Sequence, residues 1–574
     1  MQAVKQPHRK FIKFAVATLI VAGVPVVTSV HAQASGRREA GRYIVRAKSA
    51  DDLKVVKSDL AAAGAKITDD LDSINAVAVE ASATVATSLA SNIHVATLAK
   101  SGIRKLIQPD GEHKDPDLSR LKAKADPASS LPGLMWNLDR ISAPQANRKT
   151  LGSADVIVGV ADTGLDFTHS ELKNRIVGQA DLTTPLCKTI FGASDADFAA
   201  QFGGPPTTDW NGHGSWIGGN IGAALDGVGI NGIAPKVSLF DLKISEWCGS
   251  AFDSSLIGAF QYAADHGIDI VSISFGGYLD RSDPDQDAIY QAYVDVVRYA
   301  RSKGTLIVAA AGNEHIRLGA GGQVLNHGQL TVPGDPLEDL FGLWETPGGI
   351  PGVIAVSATG NVVMPASANC TAETIAAPAT CKPTTDAHQP IAAGAKDQLT
   401  YYSNYGPRID IAGPGGARKF NLPNADRGGT AGFPDTTADG TTAFEDFSIT
   451  SNWALEIPCT TFDTTQTLFY PNECYSSIQG TSMATPHVSA VAALIASADK
   501  EARHEPRTIV ERLKDGAREA HNFTPGLSAT DTSAGDRTGL ACPTGYCHLG
   551  GAAIRDREAY GAGIVNAFRS VRED

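Results

Sequence analysis

The sequence predicts an α/β protein with a mainly parallel central sheet covered by helices on both faces, preceded by a small α+β unit. Three observations carry this. Beyond residue 135, short continuous apolar runs alternate with helical stretches and glycine-rich turns, the texture of strands buried on both faces. Residues 42–109 hold a separate strand–helix alternation of their own. Between them, residues 110–130 are polar and rich in Lys, Asp and Pro, as an exposed linker is.

The chain opens with Lys5, Arg9, Lys10 and Lys13, followed by 14 uncharged residues from Phe14 to Val27. This is the pattern of a signal peptide, and the apolar run is short for a bilayer span. Val30-His31-Ala32 places small residues where a signal peptidase reads, so cleavage is expected after Ala32, with Ala32-Gln33-Ala34 as the alternative. Residues 1–32 are thus assigned to a signal peptide and the protein to a secreted, extracellular or periplasmic, location. No stable membrane association is expected after that cleavage.

In the small unit, Arg42–Ala47 reads as a strand, and Asp51–Ala63 as a helix with Leu53, Val56 and Leu60 on one face. Gly64 stands where the helix should stop. Ile74–Val79 alternates as a second strand, residues 83–91 read as a second helix, and Ile103–Ile107 is expected to close the sheet. The larger body, 126–574, supplies buried strands at 156–161, 237–242, 268–273, 306–310 and 353–356. Four aperiodic stretches interrupt it, at 181–208, 315–350, 361–400 and 415–478, and read as long surface loops or insertions.

Composition narrows the function. Of 574 residues, 43% are hydrophobic and 19% charged, so the chain is globular rather than disordered. The net charge of −13 disfavours nucleic acid as a partner. Residues 1–125 carry 19 basic and 12 acidic groups, the remainder 30 and 50. A basic segment docking on an acidic body is one reading; a basic export signal beside a solvated acidic surface is the other. All eight cysteines follow residue 186, and their even number on an exported chain suggests disulfides. Neighbours 370–381, 459–474 and 542–547 could close local loops, leaving Cys187 with Cys248, one of 105 arrangements.

Reacting groups in such sheets gather outside the carboxyl ends of the strands. Asp162-Thr163-Gly164 follows a buried strand, Asn211-Gly212-His213-Gly214 opens a glycine-rich helical stretch, and Gly480-Thr481-Ser482-Met483 opens another helix. Serine needs an adjacent base to act as a nucleophile, histidine can take and return the proton, and a buried carboxylate can orient the imidazole. Ala310-Ala311-Gly312-Asn313 ends a further strand with a carboxamide able to bind a developing oxyanion. Each piece alone has a bland reading as a turn or a helix cap. Four of them in the order Asp, His, Asn, Ser, each at an element end, do not.

With these motifs, and with Ser274-Phe275-Gly276-Gly277 and Ala484-Thr485-Pro486, the sequence resembles the subtilisin-like serine proteases, the subtilases, from about residue 136 to 568. The resemblance implies a subtilisin-like three-layer fold. It also implies that residues 33–125, with a ferredoxin-like α+β core at 42–109, form a propeptide that chaperones and inhibits the enzyme. It further implies Asp162, His213 and Ser482 as the catalytic residues and Asn313 as the oxyanion donor. Gly249, Ser250 and Ala251 would form one edge of a peptide groove, and Ser274, Phe275 and Gly276 the other. The implied function is a secreted serine endopeptidase, made as an autoinhibited zymogen, acting on protein and peptide substrates. Its chemistry would require no cofactor.

Departures from the family pattern are visible. Trp216 is bulky for the helix after the histidine, and the spacing from His213 to Ser482 is long. Leu225–Ile230 resembles a loop that often binds calcium, with Asp226 and Glu171 as oxygen candidates; an ordinary glycine turn is the equal alternative, so no metal is assigned. Two other functions stay open at this point: a binding protein with a silenced site, and an acyl hydrolase such as an esterase.

Overall fold

The computed structural model describes residues 40–107, 135–227, 229–326, 329–330, 338–360, 397–400, 402–416, 449–454, 474–522 and 554–572. The expected signal peptide, the linker at 110–130, most of the 361–400 and 415–478 stretches, and Cys370, Cys381, Cys459, Cys542 and Cys547 lie outside them.

An eight-stranded sheet forms the body. From one edge it runs Gln398–Leu399, Ile354–Gly360, Leu306–Ala310, Ile270–Ile273, Ile157–Asp162, Ser238–Lys243 and Ile176–Asp181, with Ile411–Pro414 also paired to Ile354–Gly360. Every pairing is parallel except that of Gln398–Leu399. Alternation sorts the side chains. Val158, Val160, Leu306 and Val308 pack with the helices His213–Gly222 and Thr481–Ala498 on one face. Val271, Ile273, Ile307 and Ala309 pack with Asp253–Asp265 and Pro284–Ser302 on the other.

The N-terminal unit is a four-stranded antiparallel sheet in the order Lys66–Leu71, Ala76–Ala81, Gly41–Ala47, Val95–Lys100. Its helix Ala50–Ala62 buries Leu53, Val56 and Leu60 as the periodicity predicts, and Ser49 caps it by accepting from the Asp52 amide. Tyr43, Val45, Val77 and Val79 meet the unit's two helices. The opposite face, Ile44, Ala76, Ala78 and Ala99, joins the core formed by the body helices Asp253–Asp265 and Pro284–Ser302. Arg46 pairs with Asp295 at 2.5 Å, and the buried Arg42 guanidinium donates to Ser254 at 3.1 Å.

Two expectations need correction. Ile103–Leu106 does not close the N-terminal sheet; Val95–Lys100 does, and Ile103–Leu106 pairs instead with two strands of the body. The 181–208 stretch is not an irregular loop: it carries the helices Cys187–Phe191 and Asp195–Phe202, the second with a Ser194/Asp197 capping box.

Candidate active site

Asp162 is the last residue of its strand and His213 the first of its helix. The chain enters that helix through Gly212 at φ 101°, where a Cβ would lie 2.2 Å from the Trp453 ring. Gly214 is as confined, since its Cβ would fall 2.0 Å from the Gly164 carbonyl oxygen. These glycines let the imidazole approach the strand end. His213 Nδ1 lies 2.8 Å from Asp162 Oδ1, which also accepts from the Thr163 amide at 2.8 Å. A carboxylate can only accept, so the proton sits on Nδ1 and Nε2 is left as the basic nitrogen. Both side chains are buried. His213 Nε2 makes no hydrogen bond among the described residues.

Trp216 is wholly buried in the core, and its Nε1 donates to the Ser476 carbonyl at 3.0 Å. The wall it meets is the antiparallel pair Ile449–Trp453 and Cys474–Ile478, which lies within the 415–478 insertion.

Ser482 is the second residue of its helix. Its hydroxyl donates to the Ile107 carbonyl, not to His213. Asn313 Oδ1 accepts from the Thr481 amide at 3.0 Å and from the Thr481 hydroxyl at 2.8 Å. Its Nδ2 is a buried N–H donor with no partner among the described residues.

The six residues expected to line a peptide groove come together around the chain's own strand Ile103–Leu106. On one side Lys105 stands opposite Ser250 and Arg104 opposite Ala251, and the Leu106 amide donates to the Gly249 carbonyl at 2.9 Å. On the other, Leu106 stands opposite Phe275 and Lys105 opposite Gly276, and the Ile107 amide donates to the Ser274 carbonyl at 2.9 Å. A Cβ on Gly276 would lie 2.9 Å from Ile107 Cδ1, so the missing side chain is room for the Ile107 side chain. The result is one four-stranded antiparallel sheet, Trp344–Thr346, Phe275–Leu279, Ile103–Leu106, Ser250–Phe252.

Sequence reasoning missed two acidic groups here. Asp253, fully buried at the start of its helix, meets Arg104: Nε to Oδ1 at 2.6 Å and Nη2 to Oδ2 at 2.9 Å. Burial pulls the Arg104 pKa down, but the Asp253 charge and hydrogen bonds outweigh it and the net shift is upward. The available signal was position, since Asp253 follows the groove edge directly in sequence. Glu345 is buried on the strand paired with Phe275–Leu279, with the Gly348 and Gly349 backbone amides turned towards its carboxyl group. Burial pushes its pKa up to about 8, against the pull of the Arg408 guanidinium. No sequence signal marked it.

Cys187 and Cys248 are joined, with Cα atoms 5.7 Å apart, tying the 181–208 segment to the groove edge beside Gly249. The calcium candidates fit a cation poorly. The Glu171 carboxylate accepts from the Tyr475 hydroxyl at 2.5 Å, the Asn452 amide at 3.0 Å and the Ile230 amide at 3.2 Å, while Asp226 lies exposed. Among the described residues no group of three or more His, Cys, Asp or Glu is placed to hold a metal, and no helix is long and apolar enough to cross a membrane.

A family model described as the subtilase family matches residues 153–535. The chain is 25% identical over 390 residues to the M-protease of Shouchella clausii (strain KSM-K16), a match covering 67% of this chain and 66% of that one. It is 26% identical over 378 residues to thermitase of Thermoactinomyces vulgaris, covering 66% of this chain and 86% of the relative. For several of the curated relatives it matches, the chain spans about half to two thirds of their length. The fold is similar to that of the epidermin leader peptide processing serine protease of Staphylococcus aureus, with a TM-score of 0.56 and 17% identity over 93% of this chain and 98% of that one.

Proposed function

The chain belongs to the subtilase family of serine endopeptidases, and from that premise we propose that it is an exported peptidase, made as an autoinhibited precursor, that cuts peptide bonds through an acyl-enzyme on Ser482. In this reading His213 Nε2 takes the Ser482 proton as Oγ bonds to the substrate carbonyl carbon. Asp162 fixes the imidazole tautomer and stabilises the imidazolium. The carbonyl oxygen, now negative, is held by Asn313 Nδ2 and by the amide end of the helix Thr481–Ala498. Collapse breaks the C–N bond, His213 gives the proton to the departing amine, and a water activated by His213 releases the acyl group.

The observation that carries the reading is the strand Ile103–Leu106. It lies between Ser250–Phe252 and Phe275–Leu279 as an added strand, and leads the Ile107 carbonyl to the Ser482 hydroxyl. Backbone pairing of this kind accepts an extended peptide with little demand on sequence. It also supports the inhibitory role of the N-terminal unit, whose own chain fills the groove. The scissile bond of the precursor would then be Ile107–Gln108, earlier than the expected propeptide boundary at 125. The peptide-shaped groove favours a peptidase over an esterase.

A serine-reactive fluorophosphonate probe tests the nucleophile: labelling of the active protein should vanish in Ser482→Ala. Digestion of casein, set against hydrolysis of a small ester, tests the substrate class. Ester turnover without proteolysis would overturn the peptidase reading.

A further inference from the structure

We propose that Asp253 forms the base of a guanidinium pocket through which the protein selects substrates carrying arginine three residues before the residue whose carbonyl is attacked. The proposal rests on the peptidase reading above and deepens it.

The register fixes the position. With the Ile107 carbonyl at Ser482, Ile107 stands as P1, and counting back through the paired strand makes Arg104 P4. Its side chain is enclosed: Nε and Nη2 form a fork onto the two Asp253 oxygens, and Nη1 donates to the Tyr278 carbonyl at 3.2 Å. Tyr293 donates its hydroxyl to Asp253 Oδ1 at 2.8 Å and so holds the carboxylate in place. Gly277 leaves space for the side chain, since a Cβ there would lie 3.1 Å from Nη1 and 3.3 Å from the Arg104 Cδ.

The pocket selects charge rather than apolar bulk. Along this strand the arginine is 6% exposed while its neighbour Ile103 is 40% exposed, the reverse of hydropathy. A planar fork suits a bidentate carboxylate, and a lysine's point charge does not reproduce it. The lining belongs to the body: Asp253 opens one helix, Tyr293 sits within the next, and Tyr278 lies on the groove strand. Departure of the N-terminal unit therefore leaves the acceptors in position, and a buried carboxylate without its cation is costly. An incoming arginine relieves that cost.

The test uses active protein obtained from the full chain and internally quenched peptides of the form X-Lys-Leu-Ile, varied only at X. Arginine should exceed alanine in kcat/KM by about 30-fold or more, the scale of a buried charge pair losing one partner, and lysine should fall well short of arginine. In Asp253→Asn the arginine-to-alanine ratio should collapse to within a few fold. Equal cleavage of the arginine and alanine peptides by the wild-type protein would overturn the proposal, leaving Arg104–Asp253 as a contact that only docks the N-terminal unit. That result needs no variant to fold. An undiminished ratio in Asp253→Asn would also overturn it. Failure to cut any peptide of the series, or casein, would overturn the peptidase reading itself.

Discussion

The Thr481 amide donates to Asn313 Oδ1 at 3.0 Å, and this bond decides which way the carboxamide faces. A backbone N–H can only donate, so the oxygen must be the end turned to it, and the NH2 is turned away. Residue 481 immediately precedes the proposed nucleophile, so the donor and Ser482 are fixed relative to one another by a single peptide unit.

Asn313→Ala should therefore lower kcat by about 10²–10³-fold, the usual cost of removing one oxyanion donor, with little change in KM. Steady-state kinetics on a peptide substrate check this. An effect confined to KM would make Asn313 a substrate holder instead.

Ser482→Ala should fold and accumulate as an uncut precursor beginning near residue 33, whereas the wild-type protein should yield a new terminus at Gln108. N-terminal sequencing of both, from a host lacking other proteases, reads the result. A Ser482→Ala protein that still matures would remove self-processing from the account.

The contribution of two buried carboxyl groups to stability should fall as pH rises from about 4.5 to about 8. Burial lifts the Glu345 carboxyl to about 8 and Asp241 likewise to about 8. Each keeps its proton in the native state at pH values where the unfolded chain has released it. The native state then binds more protons across this window, and that excess is lost as pH passes the folded value. Glu345→Gln keeps the shape without the titration. It should flatten the decline and add on the order of 1 kcal/mol at pH 8–9. Melting curves from pH 5 to 9 decide it; parallel slopes for the two proteins would show that Glu345 does not contribute.

The Cys187–Cys248 bond closes a separation of 61 residues. Replacing both cysteines by alanine should cost about 2–4 kcal/mol by freeing the unfolded chain, read as a lower denaturation midpoint. An unchanged midpoint under non-reducing conditions would refute the contribution.

The sequence made the central sheet and the four polar groups at its carboxyl end readable for physical reasons. Strands buried on both faces must be continuously apolar, and Asp162, His213, Asn313 and Ser482 each stand beside glycine or small residues at an element end. Lys66–Leu71 escaped notice because it is an edge strand in which only Leu71 is fully buried, so it needs no apolar alternation. Ile103–Leu106 was read as part of the wrong sheet because its pattern is inverted: Arg104 turns inward to a carboxylate far away in sequence, and Ile103 turns out. Trp216 looked anomalous because the strands that bury it lie more than 230 residues downstream, where no local periodicity reports on it.

Ile103–Leu106 is an interior strand of its small sheet, flanked on both sides. Withdrawing it creates a slot between two facing edges whose amides and carbonyls have lost their partners. Open edges of this kind recruit any extended chain, including unfolded copies of the same protein, and are a common route to aggregation. Here the exposure is limited by length, since Ser250–Phe252 has three residues and Phe275–Leu279 five. Folding with the slot filled, and opening it only afterwards, would keep the hazard out of the period when unfolded chain is abundant.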